Sequence, residues 1–208
     1  MSTFVYLLEL DKMNSCYQLL CKKCKKKYGH ILDVRNINCT LVQYGLYKEY
    51  GRERDIIICK SENGAPYIQN EDTRISLSHG KKMTGCAFSD NCVGLDIQEV
   101  IKYKLGYADF LLSAYEKDIL KSSEDKDLFL TTMWTLKEAY GKYLNVGLKY
   151  DFARTGFDYS LSVEHTVNGT VYKSEQLHGS VISCVSKDSS VYYEVGIEEL
   201  LRFIIKTS

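Results

Sequence analysis

The sequence has one proline, one tryptophan, no excess of either charge and no long hydrophobic run. Its 27 basic residues are balanced by 27 acidic ones, whereas general nucleic-acid binders and binders of anionic membranes usually carry a basic surplus. No segment approaches the roughly 20 apolar residues that span a bilayer. We therefore expect neither a nucleic acid nor a membrane as partner. The scarcity of proline and the 12% aromatic content exclude collagen-like and disordered chains.

The remaining composition is that of a globular protein, with 45% hydrophobic and 26% charged residues in 208 positions. A chain of this length buries roughly 70% of its unfolded surface, as one large domain or two small ones. Residues 4–10 form an apolar run too short for a signal peptide, and no basic residue precedes it. The run predicts a first β-strand. Eight scattered cysteines without an export signal predict reduced thiols and a cytoplasmic location.

Cys21 and Cys24 form a Cys-x-x-Cys pair inside a segment, residues 11–29, that is compatible with a helix. A structural zinc site needs a second pair of ligands at similar spacing, and none follows. A small zinc-binding interaction module built on this pair stays an alternative hypothesis. Five lysines lie between positions 22 and 27, and such a run is by default a solvated face.

The hydrophobic pattern predicts helices over 33–50, 107–120 and 127–144. Two strand–turn–strand units, at 83–97 and 181–195, look like β-hairpins about one hundred residues apart. Helices mixed with antiparallel hairpins predict an α+β fold. The recurrence of the hairpin pattern suggests a duplicated module of about one hundred residues, an ordinary domain size.

Trp134, Glu138 and Lys142 lie at i, i+4 and i+8 on the last of these predicted helices, so they share one face. One interpretation is a surface Glu–Lys pair beside a core tryptophan. The other is a carboxylate that binds a metal or acts as a base, with a lysine one turn away to meet an anionic substrate. The helix alone does not decide between them.

Asp96 and Gln98 alternate along a predicted strand and therefore point to the same face. A carboxylate on an apolar strand costs free energy unless it is paired or binds a metal; the alternative is the solvated face of an edge strand. Together with Glu138, these residues supply three oxygen ligands from two elements. Magnesium favours such ligands and normally shares its shell with substrate phosphates.

His79 follows Ser78 at a strand end and precedes Gly80, Lys81 and Lys82. Ring, hydroxyl and ammonium donors in this order are suited to a phosphate, although a lone histidine is more often structural. The sequence contains no P-loop, no Rossmann glycine fingerprint and no Gly-x-Ser-x-Gly nucleophile elbow.

Four segments, taken in order, resemble the 4′-phosphopantetheinyl transferases of the larger, surfactin-synthetase-activating type. They are Gly64-Ala-Pro-Tyr67, Ile75-Ser-Leu-Ser-His79, Val93-Gly-Leu-Asp-Ile97 and Trp134-Thr-Leu-Lys-Glu-Ala-Tyr-Gly-Lys142, the last leading into Gly147-Leu148. The specific signal is the Gly-x-Asp element followed about forty residues later by the tryptophan–lysine–glutamate element. Outside the first thirty residues and 150–178, the resemblance extends over most of the chain.

The resemblance implies a pseudodimer of two similar α+β halves, 1–100 and 101–208, with the active site at their interface. It implies transfer of the phosphopantetheine arm of coenzyme A to a serine of an acyl or peptidyl carrier protein, with Mg²⁺ as cofactor. The expected partners are coenzyme A and an acidic, helical carrier domain, and the protein is expected to be a monomer. A non-catalytic coenzyme- or nucleotide-binding regulator that kept the fold is the second hypothesis.

The resemblance also implies roles for individual residues. Asp96, Gln98 and Glu138 match the metal ligands, and Glu138 and Lys142 the catalytic pair. The implied contacts to coenzyme A are Lys23, Arg35, Ser78, His79 and Lys142.

Two departures from the family pattern stand out. Gln98 replaces a usual glutamate, which predicts weaker metal affinity. Ala65 replaces a usual lysine, so one phosphate contact is either missing or supplied by Lys81 or Lys82. Residues 107–120 are a candidate docking surface for the carrier, or an ordinary packed helix.

Overall fold

The computed structural model describes residues 2–29, 33–52, 55–146 and 151–207. In these ranges the chain forms a mixed α/β fold in which two β-sheets pack on helices. The strands are β1 (Thr3–Glu9), β2 (Ile58–Lys60), β3 (Pro66–Ile68), β4 (Arg74–His79), β5 (Met83–Ser89), β6 (Val93–Glu99), β7 (Glu164–Val167), β8 (Thr170–Leu177), β9 (Ser180–Ser186) and β10 (Ser190–Glu194). The helices are α1 (Ser15–Tyr28), α2 (Asp33–Tyr50), α3 (Leu105–Leu111), α4 (Ala114–Ser122), α5 (Lys126–Tyr143) and α6 (Ile197–Lys206).

The first sheet has the strand order β10-β1-β5-β4-β3-β2. Strand β1 explains the apolar run at the N-terminus, because both of its faces are buried. Tyr6 and Leu8 pack into the core that α1, α2 and α6 cover. Val5 and Leu7 point the other way, into a core shared with β6 and β9 of the second sheet.

The second sheet has the order β6-β9-β8-β7, and every adjacent pair in it is antiparallel. Helix α5 lies on this sheet and contacts β6 and β9 most extensively. Phe129, Leu130, Met133 and Leu136 of α5 form the centre of the core beneath it.

Neither predicted hairpin forms, so that prediction is wrong. Strands β5 and β6 follow each other in the chain but lie in different sheets, and so do β9 and β10. Each short turn instead carries the chain from one sheet to the other. The two turns meet, because Asn91 Nδ2 donates a hydrogen bond of 3.0 Å to Asp188 Oδ2. A local strand–turn–strand pattern does not encode which neighbour each strand pairs with.

The helices follow the predictions with two differences. The segment 107–120 is broken into α3 and α4, because Ser113 caps α4 with its side chain and Glu116 completes the capping box. Helix α6 was not predicted, and Gly147-Leu148 lies outside the described residues. Within the described ranges, no helix is both long and apolar enough to cross a membrane.

Candidate active site at the seam between the sheets

Two serine hydroxyls join the first sheet to the second. Ser76 and Ser78 alternate along β4 and therefore share one face. Their Oγ atoms accept the backbone N–H groups of Leu95 (2.9 Å) and Ile97 (3.0 Å) on β6. These bonds satisfy the edge of β6 that faces away from β9 and form a seam between β4 and β6.

Gly94 allows α5 to approach this seam. A Cβ atom at this position would overlap the backbone carbonyl oxygen of Ala139 and the backbone nitrogen of Tyr143. Only glycine leaves room for the helix backbone at this distance. The close approach brings Glu138 and Lys142 of α5 beside Asp96 of β6, which gives the Gly-x-Asp element a physical reason.

Asp96 is buried, with 8% of its surface exposed, and is held from two sides. Its Oδ1 accepts hydrogen bonds from Ser78 Oγ (3.0 Å) and Lys142 Nζ (2.8 Å). Lys142 Nζ also donates to the carbonyl of Leu95 (2.8 Å), while its side chain remains 31% exposed. The predicted metal and catalytic residues Asp96 and Lys142 are therefore in direct contact.

Glu138 brings an unsatisfied acceptor to the same place. Its Oε1 is buried and has no hydrogen-bond partner among the described residues. Burial and then the nearby Asp96 carboxylate raise the pKa of Glu138 above its ordinary 4.5, while Lys142 opposes the rise. A buried acceptor without a donor, next to a second carboxylate, is an environment that fits a divalent cation.

Asp96, Glu138 and Gln98 are the residues here that could hold such a cation. Gln98 is half-buried and stands two positions after Asp96 on β6. Within the described part of the chain, no group of three or more His, Cys, Asp or Glu side chains is arranged to hold a metal. A cation at the seam would therefore depend on two carboxylates and the amide oxygen of Gln98.

A cavity of about 810 Å³ opens where β4 ends. His79, Gly80 and Lys81 line it from the β4–β5 turn, and the side opposite comes from the α1 region. Its further charged lining residues are Lys12, Lys22, Lys25 and Asp33. Four lysines and a histidine against one acid give the cavity a lining that suits an anion.

The remaining predicted coenzyme contacts lie elsewhere. Lys23 lines a separate cavity of about 210 Å³, and Arg35 lines one of about 270 Å³ beside Pro66. The hydroxyl of Ser78 is engaged in the seam with Asp96. The structure thus brings Asp96, Glu138, Lys142 and Ser78 together and sets Lys23 and Arg35 apart from them; their roles remain predictions.

The lysine run predicts a solvated face by default, and the family resemblance assigns only Lys23 from it to the coenzyme, so the cavity lysines of α1 are not predicted. Gln18, Lys22 and Lys25 lie at i, i+4 and i+7, so helical spacing places them on one face of α1. All three line the 810 Å³ cavity, whereas Lys23 faces another. Helical spacing within the run was the available signal.

Lys137 was also missed, because a lysine next to a glutamate on a helix looks like a surface residue. It is fully buried and forms an ion pair of 2.6 Å with the equally buried Glu116 of α4. Its ammonium also donates to the carbonyls of Leu111 (2.8 Å) and Phe152 (2.7 Å). This pair ties α5 to three neighbouring segments.

Cys21 and Cys24 lie on the buried face of α1. Burial raises the pKa of the Cys24 thiol to about 12, and its Sγ lies 3.1 Å from Thr40 Oγ1. A neutral, hydrogen-bonded thiol is a poor zinc ligand, because zinc binds the thiolate.

Part of the chain matches a known family of transferases. Residues 92–192 match the family model of the 4′-phosphopantetheinyl transferase superfamily, a span that contains Asp96, Gln98, Glu138 and Lys142. The resemblance indicated by the sequence motifs is confirmed.

Individual relatives are similar at modest identity. The chain is 28% identical over 131 residues to 4′-phosphopantetheinyl transferase psf-1 of Bacillus pumilus, covering 60% of this chain and 56% of the relative. It is 26% identical over 147 residues to 4′-phosphopantetheinyl transferase gsp of Aneurinibacillus migulanus, covering 66% of this chain and 61% of the relative. It is 25% identical over 153 residues to 4′-phosphopantetheinyl transferase Sfp of Bacillus subtilis, covering 69% of this chain and 68% of the relative. The chain thus spans less than two thirds of the length of the first two relatives.

Proposed function

We propose that the protein is an enzyme of this superfamily. It transfers the 4′-phosphopantetheine arm of coenzyme A to a serine hydroxyl of an apo acyl or peptidyl carrier protein and releases adenosine 3′,5′-bisphosphate. The observation that carries the proposal is the contact of Asp96 and Lys142 beside Glu138, whose buried Oε1 has no donor among the described residues. The relatives are named 4′-phosphopantetheinyl transferases, which supports the proposal and does not favour a non-catalytic regulator or a zinc module.

The lysine-lined cavity is the proposed binding site for the phosphates of coenzyme A. His79, Lys22, Lys25 and Lys81 all line it and would donate to phosphate oxygens. Lys81 would stand in for the lysine that Ala65 replaces. Lys23 and Arg35 line neighbouring cavities and remain candidate contacts to the outer parts of the coenzyme.

The seam is the proposed magnesium site, with Asp96 and Glu138 as carboxylate ligands and the carbonyl of Gln98 as a third. When bound, the ion would neutralise charge on the diphosphate of coenzyme A. The unpartnered Oε1 of Glu138 supports this assignment.

Glu138 and Lys142 are the proposed catalytic pair. The serine oxygen of the carrier attacks the phosphorus attached to the pantetheine arm, the bond to the leaving phosphate breaks, and Glu138 accepts the serine proton. Lys142 uses two donors on Leu95 and Asp96 among the described residues, and its third N–H is free for a phosphoryl oxygen. Ser78 holds Asp96 in place.

The proposed docking surface for the carrier is the exposed side of α3 and α4. Leu105, Tyr107, Phe110 and Tyr115 are between 49% and 66% exposed there, whereas Leu111 is buried. Contiguous exposed apolar patches mark protein–protein interaction sites. The partner would be an acidic, helical carrier domain. Because one chain supplies all the seam residues, we propose a monomer.

We also propose that the fold is a pseudodimer of halves 1–100 and 101–208. In each half an 18-residue helix, α2 or α5, precedes a three-stranded antiparallel meander, β3-β4-β5 or β7-β8-β9. After each meander the next strand crosses into the other sheet. The seam between β4 and β6 would then lie at the interface of the halves.

The test is a mass measurement on the carrier. The protein is incubated with coenzyme A, magnesium and a panel of apo carrier proteins, and the phosphopantetheine mass increment is expected on at least one. Asp96→Ala and Glu138→Ala should abolish the increment, while Lys206→Ala on α6 should leave it unchanged. Coenzyme A binding with no increment on any carrier would overturn the transferase and favour the non-catalytic regulator.

A further inference from the structure

Glu99 holds the turn between β4 and β5. It is the last residue of β6, and its Oε1 accepts the backbone N–H groups of Lys81 (2.5 Å) and Lys82 (3.0 Å). A Cβ atom on Gly80 would overlap the same carboxylate oxygen. The turn is therefore wrapped around one carboxylate, and glycine at position 80 is what lets it approach.

The turn is a wall of the lysine-lined cavity. His79 at its start, Gly80 and Lys81 all line that cavity. The same turn is closed by a hydrogen bond from Gly80 N–H to the Met83 carbonyl (2.8 Å) and is joined to the chain after β1 by one from Leu10 N–H to the Lys82 carbonyl (2.6 Å). The direction in which His79 and Lys81 are presented thus depends on groups that Glu99 anchors.

Two successive backbone N–H groups pointing at one spot form an anion-binding nest. Here the protein's own carboxylate fills the nest, so an incoming phosphate meets the side chains of His79 and Lys81 and not the turn backbone. Because side-chain cations bind only when they are correctly placed, the anchoring matters for affinity more than for the chemical step.

We propose that Glu99 is a positioning residue of the coenzyme-binding cavity, fixing the β4–β5 turn so that His79 and Lys81 face the phosphates of the ligand. This inference rests on the proposed function for the identity of the ligand. It gives Glu99, the residue that follows Gln98, a role distinct from metal binding.

The kinetic test compares Glu99→Ala with Glu99→Gln. The alanine variant loses both hydrogen bonds, so the KM for coenzyme A should rise about five- to tenfold while kcat changes less than about twofold. The glutamine variant keeps a carbonyl oxygen that accepts both N–H groups and should stay within about twofold of wild type. Gly80→Ala should reproduce the alanine variant, since its methyl group displaces the carboxylate. Glu198→Ala, an exposed glutamate on α6, is the matched control.

A second measurement is independent of transfer. Calorimetric titration with adenosine 3′,5′-bisphosphate, without metal or carrier, should show weaker binding for Glu99→Ala and restored binding for Glu99→Gln. Amide hydrogen exchange at Lys81 and Lys82 should accelerate in the first variant only. Should the alanine variant not fold, Glu99→Asp, which retracts the carboxylate by one methylene, takes its place.

The outcomes separate the two proposals. A wild-type protein that binds the bisphosphate but modifies no carrier would overturn the transferase, and the titration would still decide the role of Glu99. Unchanged bisphosphate binding in Glu99→Ala, or a loss confined to kcat, would overturn the positioning role. No bisphosphate binding by the wild type would overturn the positioning role, and the mass measurement on the carrier would still decide the transferase.

Discussion

Helix α5 carries two lysine–carboxylate pairs that differ in what surrounds them. Lys137 and Glu116 have no exposed side-chain surface, whereas the side chains of Lys142 and Asp96 are 31% and 12% exposed. The first pair lies inside the core between helices, and the second lies at the seam between the sheets. We call the fully buried pair of Lys137 and Glu116 the closed pair, and the partly exposed pair of Lys142 and Asp96 the open pair.

The closed pair uses its hydrogen-bonding groups on the protein itself. The ammonium group of Lys137 donates three hydrogen bonds, to Glu116, Leu111 and Phe152. Glu116 accepts the backbone N–H groups of Ser113 and Phe157 in addition. Such a pair has nothing left for a ligand and serves to hold the segments around α5.

The open pair leaves groups unused. Beside it, Glu138 Oε1 is buried without a donor among the described residues. Burial of a charged group without a partner is destabilising, so a protein that keeps one usually uses it. The contrast indicates that hydrogen-bond satisfaction, more than charge or position on the helix, separates the structural lysine from the one proposed to act in the site.

Breaking the closed pair should have the largest effect on stability. Lys137→Met leaves Glu116 as a buried, uncompensated charge, and we expect a loss of about 3–5 kcal/mol in the free energy of unfolding. Urea unfolding followed by circular dichroism measures it. The control is Lys121→Met, which removes an exposed pair with Asp118 and should cost less than about 1 kcal/mol. Equal losses in the two variants would contradict the assigned contrast.

Breaking the open pair should affect transfer more than folding. Lys142→Met removes the proposed cation at the phosphoryl group, and we expect kcat to fall about 10²- to 10³-fold, as when a donor to a developing negative charge is lost. Steady-state transfer to a carrier measures it, with Lys206→Met as the control. A variant with normal kcat would move Lys142 into the structural class.

The residues of the candidate site could be proposed from the sequence as far as the chemistry requires particular residue types. Positions on a strand and a helix made Asp96, Glu138 and Lys142 candidates, and the family resemblance implied their roles, which remain predictions. Gly94 was part of the same motif, and the structure supplies its reason in the close approach to Ala139. Glu99 and Lys137 could not be assigned, since their partners at 80–82 and 116 are set by tertiary packing.

The fold was predictable to the level of elements but not of their pairing. Strand β1 and helices α2 and α5 follow from local apolar patterns. The crossings from β5 to β6 and from β9 to β10 do not, because a tight turn has the same local signature whether the strands pair or separate. Helix α6 was missed although Ile197, Leu200, Leu201 and Ile204 lie at helical spacing.

A third substitution, at position 98, adds a negative charge beside the open pair. Gln98→Glu restores a third carboxylate beside Asp96 and Glu138, so the magnesium concentration for half-maximal transfer should fall about tenfold. A magnesium titration of the initial rate measures it. Asp90→Glu, in the exposed turn after β5, is a control that changes no charge at the seam. An unaltered magnesium requirement would mean that position 98 contributes no ligand.

The smallest expected effect tests whether burial of the charged Glu138 carboxylate lowers the free energy of unfolding. Because the pKa of Glu138 is raised on folding, the folded state binds more protons than the unfolded state between the ordinary value of 4.5 and the raised one. Stability therefore falls as pH rises through that window, and the loss is complete above it. Without metal, Glu138→Gln should unfold at a temperature about 2–4 °C higher than wild type at pH 7, as ~1 kcal/mol produces in a chain of this size.

The pH and metal dependence make this result specific to the titrating carboxylate. The difference between Glu138→Gln and wild type should vanish below about pH 4, where the wild-type carboxyl is itself neutral. Magnesium should raise the unfolding temperature of wild type and not that of the variant, since a ligand stabilises only the state that binds it. Scanning calorimetry across pH, with and without magnesium, measures both. A difference that persists unchanged at low pH would show that the gain does not come from removing the charge of Glu138. The absence of any gain at pH 7 would show that Glu138 is satisfied like Glu116, and the two pairs would then be of one kind.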